Sequence, residues 1–233
     1  MKRLPALSIL CLCLCLCLSA AAQRHPAERE LRALQDSVWH WRASHPGDPL
    51  SDNIRASGQT ENAVEMHLMR ADSAVRSDFR RRLHDSPLIR LCGFDPDTTP
   101  YPAAPEGEVP PAGTASMQAE YAFYAPGTEQ VALTIRNAGD RELLFGEEYT
   151  LCRFQNDRWE TLPAGGIWHS LLHGLRPGGE HRFPARLEPR IYPAVYARYR
   201  ICKRAYAENP RRDWLLTAEF TLTPFVPFTR FNE

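Results

Sequence analysis

The stretch FYAPGTEQVALTIRN, Phe123 to Asn137, decides the fold class. Ala125-Pro126-Gly127-Thr128 stops one extended run. Beyond it Val131, Leu133 and Ile135 alternate with Ala132 and Thr134, the period of a strand that buries one face. Asn137-Ala138-Gly139-Asp140 then turns the chain. The same rhythm continues outward. Met117 to Tyr124 precedes the stretch, and Glu148 to Phe154, Arg158 to Leu162, Ile167 to His173, Glu180 to Leu187, Val195 to Tyr206 and Trp214 to Thr223 follow it. Gln155-Asn156-Asp157 predicts a hairpin between two of these runs. Short strands at this spacing, with no helical period among them, predict two packed antiparallel layers over 117–225 and leave 226–233 as a tail.

Upstream the pattern changes. Asp95 to Ser116 (DPDTTPYPAAPEGEVPPAGTAS) is rich in Pro, Gly and Ala, which makes no regular ladder; it is expected to be a semi-extended inter-domain linker. Residues 23–94 predict a small α+β domain. Pro26 to Ser44 is helical, with Leu31, Leu34, Val38 and Trp41 on one stripe, Pro26 in the first turn, and Glu28 and Glu30 at the positive end of the dipole. His45-Pro46-Gly47-Asp48-Pro49 ends it. Asp52 to Gly58 and Ala63 to Met69 are strands. Asp72 caps a second helix running to about His84 with Val75, Phe79 and Leu83 inward. Pro87 to Cys92 is a third strand, giving the order α-β-β-α-β.

The first 22 residues read as an export signal. Lys2 and Arg3 precede the apolar run Leu4 to Leu18, and Ser19-Ala20-Ala21-Ala22 supplies small residues at a cleavage site, placing the cut between Ala22 and Gln23. The run is shorter than the ~20 apolar residues of a membrane span, so no transmembrane segment is expected in the mature chain. Cys13, Cys15 and Cys17 each follow Leu rather than a small residue, which disfavours lipid attachment. With 28 basic and 28 acidic residues the formal net charge is zero, and no global field favours nucleic acid.

In their order, FYAPGTEQVALTIRN, then FGEEYTLCRF (Phe145 to Phe154), Trp159, LRPGGEHRF (Leu175 to Phe183) and YRI (Tyr199 to Ile201) resemble a bacterial immunoglobulin-like domain family of exported and envelope proteins. The resemblance spans about 100 residues and implies a β-sandwich. Arg190 after Pro189, and Cys152 and Cys202 within strands, depart from the family pattern. Tyr199, two residues before the core-facing Ile201, suits a tyrosine corner, in which a phenol bonds backbone at a sandwich edge. In the N-terminal part, Phe79-Arg80 and Ser86-Pro87-Leu88-Ile89 are similar to small α+β units of exported bacterial proteins, with no activity to carry over.

Three cysteines survive signal cleavage: Cys92, Cys152 and Cys202. If Leu151 and Ile201 point inward, Cys152 and Cys202 face outward. In a sandwich of the resembled kind their strands are neighbours in one sheet, leaving two alternatives, a cross-strand disulfide with Cβ atoms within about 4.5 Å or two unpaired thiols beneath the N-terminal unit. Cys92 is the odd one out. His169 and His173, four apart on a strand, lie roughly 13 Å apart, so with His181 they are expected to be surface histidines and no metal site is predicted. Arg76, Arg80, Arg81 and Arg82 face Asp72, Asp78 and Asp85 as a solvated, self-neutralised face. Trp39 and Trp41 point about 200° apart on a helix, against a carbohydrate platform, and Trp159, Trp168 and Trp214 read as core and rim. No Gly-x-Ser-x-Gly, Ser-x-x-Lys or phosphate-cradling glycine loop is present.

The expectation is an α+β multidomain protein whose C-terminal domain is an all-β immunoglobulin-like sandwich. It is exported to the periplasm, cell surface or medium, is non-enzymatic and without cofactor, and binds a protein or glycan of the envelope or extracellular space. The alternative is an enzyme-associated or inhibitory protein with an active N-terminal unit and the sandwich as spacer.

Overall fold

The computed structural model describes residues 28–163, 170–193, 195–208 and 210–224. The signal segment with Ala22 and Gln23, together with Trp168 and His169, lies outside them. The chain divides into two compact units at Gly93/Phe94.

In the first unit, helix α1 (28–44) is followed by α2 (Pro49–Asn53), β1 (Ile54–Gln59), β2 (Val64–Arg70), α3 (Ser73–Arg82) and β3 (Ile89–Phe94). The three strands form one sheet in the order β1-β2-β3. The first predicted strand was placed from Asp52; in the structure 49–53 is a helical turn instead. Asp48 accepts from the Leu50 amide and Pro49 sits in the first turn, so local capping outweighs the weak strand pattern. Leu31 and Val38 of α1 and Phe79 of α3 pack with Ile54, Val64, Met66 and Ile89 in one buried cluster, each such side chain contributing ~1.5–3 kcal/mol. Asp72 caps α3, its carboxylate accepting from the Val75 amide at 2.8 Å while pairing with Arg70. Arg76, expected on a solvated face, instead donates to the carbonyls of Ala71 and Leu91 and ties the helix to β3. The rest of the basic face is neutralised locally, by Arg81 and Arg82 on Asp78 and by Arg82 on Asp48 at 2.5 Å. Glycine is required at position 93, where a Cβ would stand 2.5 Å from the Leu68 carbonyl oxygen.

The second unit is a β-sandwich. One layer is β11 (Glu180–Arg186), β6 (Gln130–Asn137) and β4 (Ala115–Ala119); the other orders β10 (Leu172–Leu175), β7 (Leu143–Gly146), β12 (Ala197–Ala207), β13 (Arg212–Leu222) and β5 (Phe123–Tyr124), with β8 (Thr150–Gln155) on β12 and β9 (Arg158–Leu162) on β8. Val131, Leu133 and Ile135 of β6 are fully buried, as their alternation requires. The expected single strand from Met117 to Tyr124 is two: β4 belongs to one layer, and the chain then crosses so that β5 runs parallel to β13 in the other. Leu143–Gly146, too short for a visible alternation, is a strand the sequence did not reveal. Asn156 and Asp157 both have positive φ, 53° and 58°, the two-residue hairpin geometry that Asn and Asp tolerate. In the loop where Arg190 departs from the family pattern, Glu188 carries φ 50°.

Asn137 locks the turns at one end. Its side chain donates to the carbonyls of Arg141 and Leu175 and accepts from the Gly139 amide, while its backbone pairs with Gly178 and Gly179. Asn137→Ala leaves two carbonyls short of a donor and is expected to lower stability by ~2–4 kcal/mol in urea unfolding; a loss below ~0.5 kcal/mol would mean the turns hold themselves. Asp72→Ala is expected to lower stability by ~1–2 kcal/mol, with faster amide exchange confined at first to the opening turn of α3.

Candidate functional site

The site is built on the outer face of the larger layer. β12 pairs with β13 along its whole length, Ala197 opposite Leu222 through Ala207 opposite Arg212. On its other edge it pairs with β8 over Tyr199–Cys202 and with β7 over Ala205–Ala207. Tyr199 and Ile201 are buried between the layers, which turns Arg198, Arg200, Cys202 and Arg204 outward by the period of two. By the same rule Leu151 faces in and Cys152 and Phe154 face out. Tyr199 forms the expected corner: its hydroxyl donates to the Val195 carbonyl at 3.1 Å and receives the Val195 amide at 3.2 Å.

Cys152 and Cys202 therefore share one face of one sheet on adjacent strands, as their parity predicts. The register was not legible in the sequence. Cys152 is opposite Arg200, and Cys202 is opposite Thr150, so the two are diagonal neighbours. Both are free thiols and both are buried. They form a cluster with Leu215, closed by Ala104 and Trp159. The Thr161 hydroxyl lies 3.9 Å from the Cys152 sulfur. Cys92, also a free thiol, belongs to β3.

What covers the thiols is the proline-rich segment. The Thr161 amide donates to the Pro102 carbonyl at 2.7 Å, the Ala104 amide to Trp159 and the Leu215 amide to Glu108. Residues 102–108 thus run from the free edge of β9 across the outer face to β13 and close the sheet as a strap. Gly107 sits over Leu215, where a Cβ would come within 3.0 Å of the leucine Cβ. The expected linker over 95–116 is extended, as its prolines demand, but this part of it is bonded to the sandwich. Between strap and sheet lies a cavity of about 400 Å³ lined by Pro105, Gly146, Glu148, Tyr149, Thr150, Cys202, Arg204 and Leu215.

The two neighbouring thiols separate each other's proton affinities. The Cys202 thiol, with Thr161 and Arg200 nearby, pulls Cys152 below the ordinary thiol range against its burial. The adjacent Cys152, then burial, pushes Cys202 up. Beside them is a ladder of cations and rings. The Arg200 guanidinium stands 4.0 Å from the Trp159 ring centre and that of Arg198 4.4 Å from Phe154, with Glu219 pairing Arg200 at 2.5 Å. Trp159 is half-buried here, at the rim of the covered cluster.

A second cluster lies where the two layers meet. Lys203 faces inward and is only 3% exposed. Its ammonium donates to the carbonyls of Glu147 and Glu148 at 3.0 Å and stands 4.8 Å from the Phe183 ring centre. His173 of β10 and His181 of β11, expected as separate surface histidines, have ring centres 5.0 Å apart. The turn Leu175-Arg176-Pro177-Gly178-Gly179 brings these edges together, which a count along one strand does not capture. Among the described residues no group of three potential metal ligands is present. Burial, then the neighbouring His173 and Lys203, holds His181 below the ordinary imidazole range. Burial pushes Lys203 down to about 8 from 10.5.

Residues 112–221 match the family described as bacterial Ig-like domain, so the C-terminal half of the chain is a bacterial immunoglobulin-like domain. No curated protein matches the chain. Among solved structures, the chain is similar to the sporulation control protein Spo0M from Bacillus subtilis, at 14% identity over 47% of this chain and 48% of that one, TM-score 0.32. It is also similar to the CsuC–CsuE chaperone–adhesion subunit complex of Acinetobacter baumannii (10% identity, 47% and 57% covered, TM-score 0.30) and to the periplasmic chaperone SfaE (13%, 48% and 59%, TM-score 0.29). The chain spans about half the length of each of these three structures. Among the described residues no helix is long and apolar enough to cross a membrane.

Both depressed bases predict stability that rises with pH. The unfolded chain holds the His181 proton more tightly than the native one, so stability is full above the unfolded pKa of ~6.5 and falls as pH drops below it. The same sign applies to Lys203, for which stability climbs between about 8 and 10.5. Urea titrations from about pH 5 to 10.5 are expected to show both limbs. His181→Gln should flatten the acid limb and Lys203→Met the alkaline one. Lys203→Met should also speed amide exchange around Glu147–Tyr149; unchanged exchange there would refute the tie.

Proposed function

We propose that the chain is an exported, non-catalytic protein whose immunoglobulin-like domain is a binding or structural module of the cell envelope or secreted fraction. The family match over residues 112–221 carries this reading, since domains of that family occur in exported proteins. The signal-like leader of residues 1–22 supports it. The contacting face on this reading is the outer surface of the larger layer, where Trp159, Phe154, Arg198 and Arg200 combine rings and guanidinium groups. Aromatic and arginine side chains dominate protein contact energetics, and a flat ring with neighbouring donors suits a glycan as well. The prolines and the strap stiffen that face and reduce the ordering a partner would have to impose.

Two measurements test the proposal. Expression of the full chain in a bacterial host, osmotic release and intact-mass analysis are expected to give a product starting at Gln23. An uncleaved chain in the cytoplasm overturns the export part, and a lipid on a leader cysteine would convert release into anchoring. For the contacting face, co-sedimentation of the purified protein with isolated envelope material should fall by at least ~10-fold in Trp159→Ala/Arg198→Ala, with the thermal midpoint retained. Equal retention of variant and parent would move the contact elsewhere.

A further inference from the structure

The cavity beneath the strap presents two opposite charges that the fold itself does not use. Arg204 of β12 and Glu148 of the passage between β7 and β8 both line it, and both are exposed. Among the described residues neither side chain makes a hydrogen bond or an ion pair, with the other or with a third group. Their charged neighbours act only through space: Asp213, already paired with Arg211, feels Arg204, and Lys203 on the inner side of the sheet feels Glu148. Arg198 and Arg200 on the same face are different, since both engage Glu219. The register explains the separation. β8 pairs with β12 as far as Thr150 opposite Cys202, and β7 pairs with it from Phe145 opposite Ala205. Residues 146–149 have only positions 203 and 204 to span, so the passage bulges. The place opposite Arg204 that an unbroken ladder would give Glu148 is lost, and a space remains between them.

The walls of that space are fixed before any guest arrives. The Lys203 ammonium holds the carbonyls of Glu147 and Glu148 from within, and the Tyr149 hydroxyl accepts from the Arg186 amide at 2.7 Å. Above, the strap bonds at Ala104 and Glu108 lie on either side of Pro105. A preformed cavity spares a ligand the cost of ordering it. Its volume of about 400 Å³ falls in the range of small-molecule sites. Cys202 and Leu215, both buried, and Pro105 add apolar surface between the two charges. A guest that carries one sign of charge leaves the opposite wall unsatisfied, and a guest without hydrocarbon leaves the floor bare.

We infer that this cavity is a receptor site for a free amino acid with an apolar side chain. The carboxylate goes to Arg204, whose guanidinium fork matches it with two parallel hydrogen bonds. The ammonium goes to Glu148, an acceptor for its donors. The side chain rests on Leu215, Cys202 and Pro105. An amino acid carries both charges on a single carbon, as one small cavity with two charged walls requires. The site goes beyond the envelope-contact reading and stands or falls apart from it, because it uses none of Phe154, Trp159, Arg198 and Arg200.

L-Leucine is the probe, alongside leucinamide, which lacks the carboxylate, and 4-methylpentanoate, which lacks the ammonium. Binding to the purified full chain is titrated by saturation-transfer NMR at about pH 7, where the charges on both partners are formed. Leucine is expected to bind, and each analogue to bind at least ~10-fold more weakly. Arg204→Gln should weaken leucine at least ~10-fold and abolish its advantage over leucinamide. Glu148→Gln should weaken it similarly and abolish its advantage over 4-methylpentanoate. Both side chains are exposed, so both variants are expected to keep the parent's near-UV circular dichroism. Absence of leucine binding at about 10 mM, the weak end of specific recognition, overturns the proposal. So do analogues that match leucine, or folded variants that retain the parent's affinity and preference.

Discussion

The sandwich depends on how β12 is shared. One edge of this strand is covered by β13 without a break, but the other is divided between β8 and β7, and the chain must leave the sheet between them. At that interruption Lys203 turns inward and donates to two successive carbonyls, Glu147 and Glu148, of the connecting loop. A buried ammonium is costly to desolvate, and its lowered affinity for the proton registers that penalty. It is retained because those carbonyls, already committed to a tight passage from one strand to the next, would otherwise face an apolar interior of Phe145 and Phe183 rings. The charge is thus bound to the topology: moving it by one position would turn it to the solvent face and open the passage.

The same alternation that turns Lys203 inward turns Cys202 outward, so one strand carries a structural cation on one side and a thiol on the other. The outward side is not left to solvent. Bonds from residues 102–108 to β9 and β13 use backbone groups that edge strands leave unpaired, and this protects edges against pairing with another chain. Proline suits the purpose, since it stays extended and lacks a donor where none is needed. A strap joined at its two ends leaves room in its middle, and the cavity beside Cys202 is that room.

This division explains what the sequence disclosed. Alternation at Val131, Leu133 and Ile135 identified a strand, and the parity of Leu151 against Cys152 identified a face, because both follow from a period of two. Asp72 as a cap was legible because the capping bond is local. Register, by contrast, is set by loop length at the β7–β8 passage and by the hairpin at Asn156-Asp157, so nothing near Cys152 says that it faces Arg200 rather than Cys202. His173 and His181 came together through a turn joining two layers, a contact with no period. Residues 102–108 have neither alternation nor helical repeat, and their bonding to β9 and β13 is carried by scattered peptide groups that leave no mark on side-chain pattern.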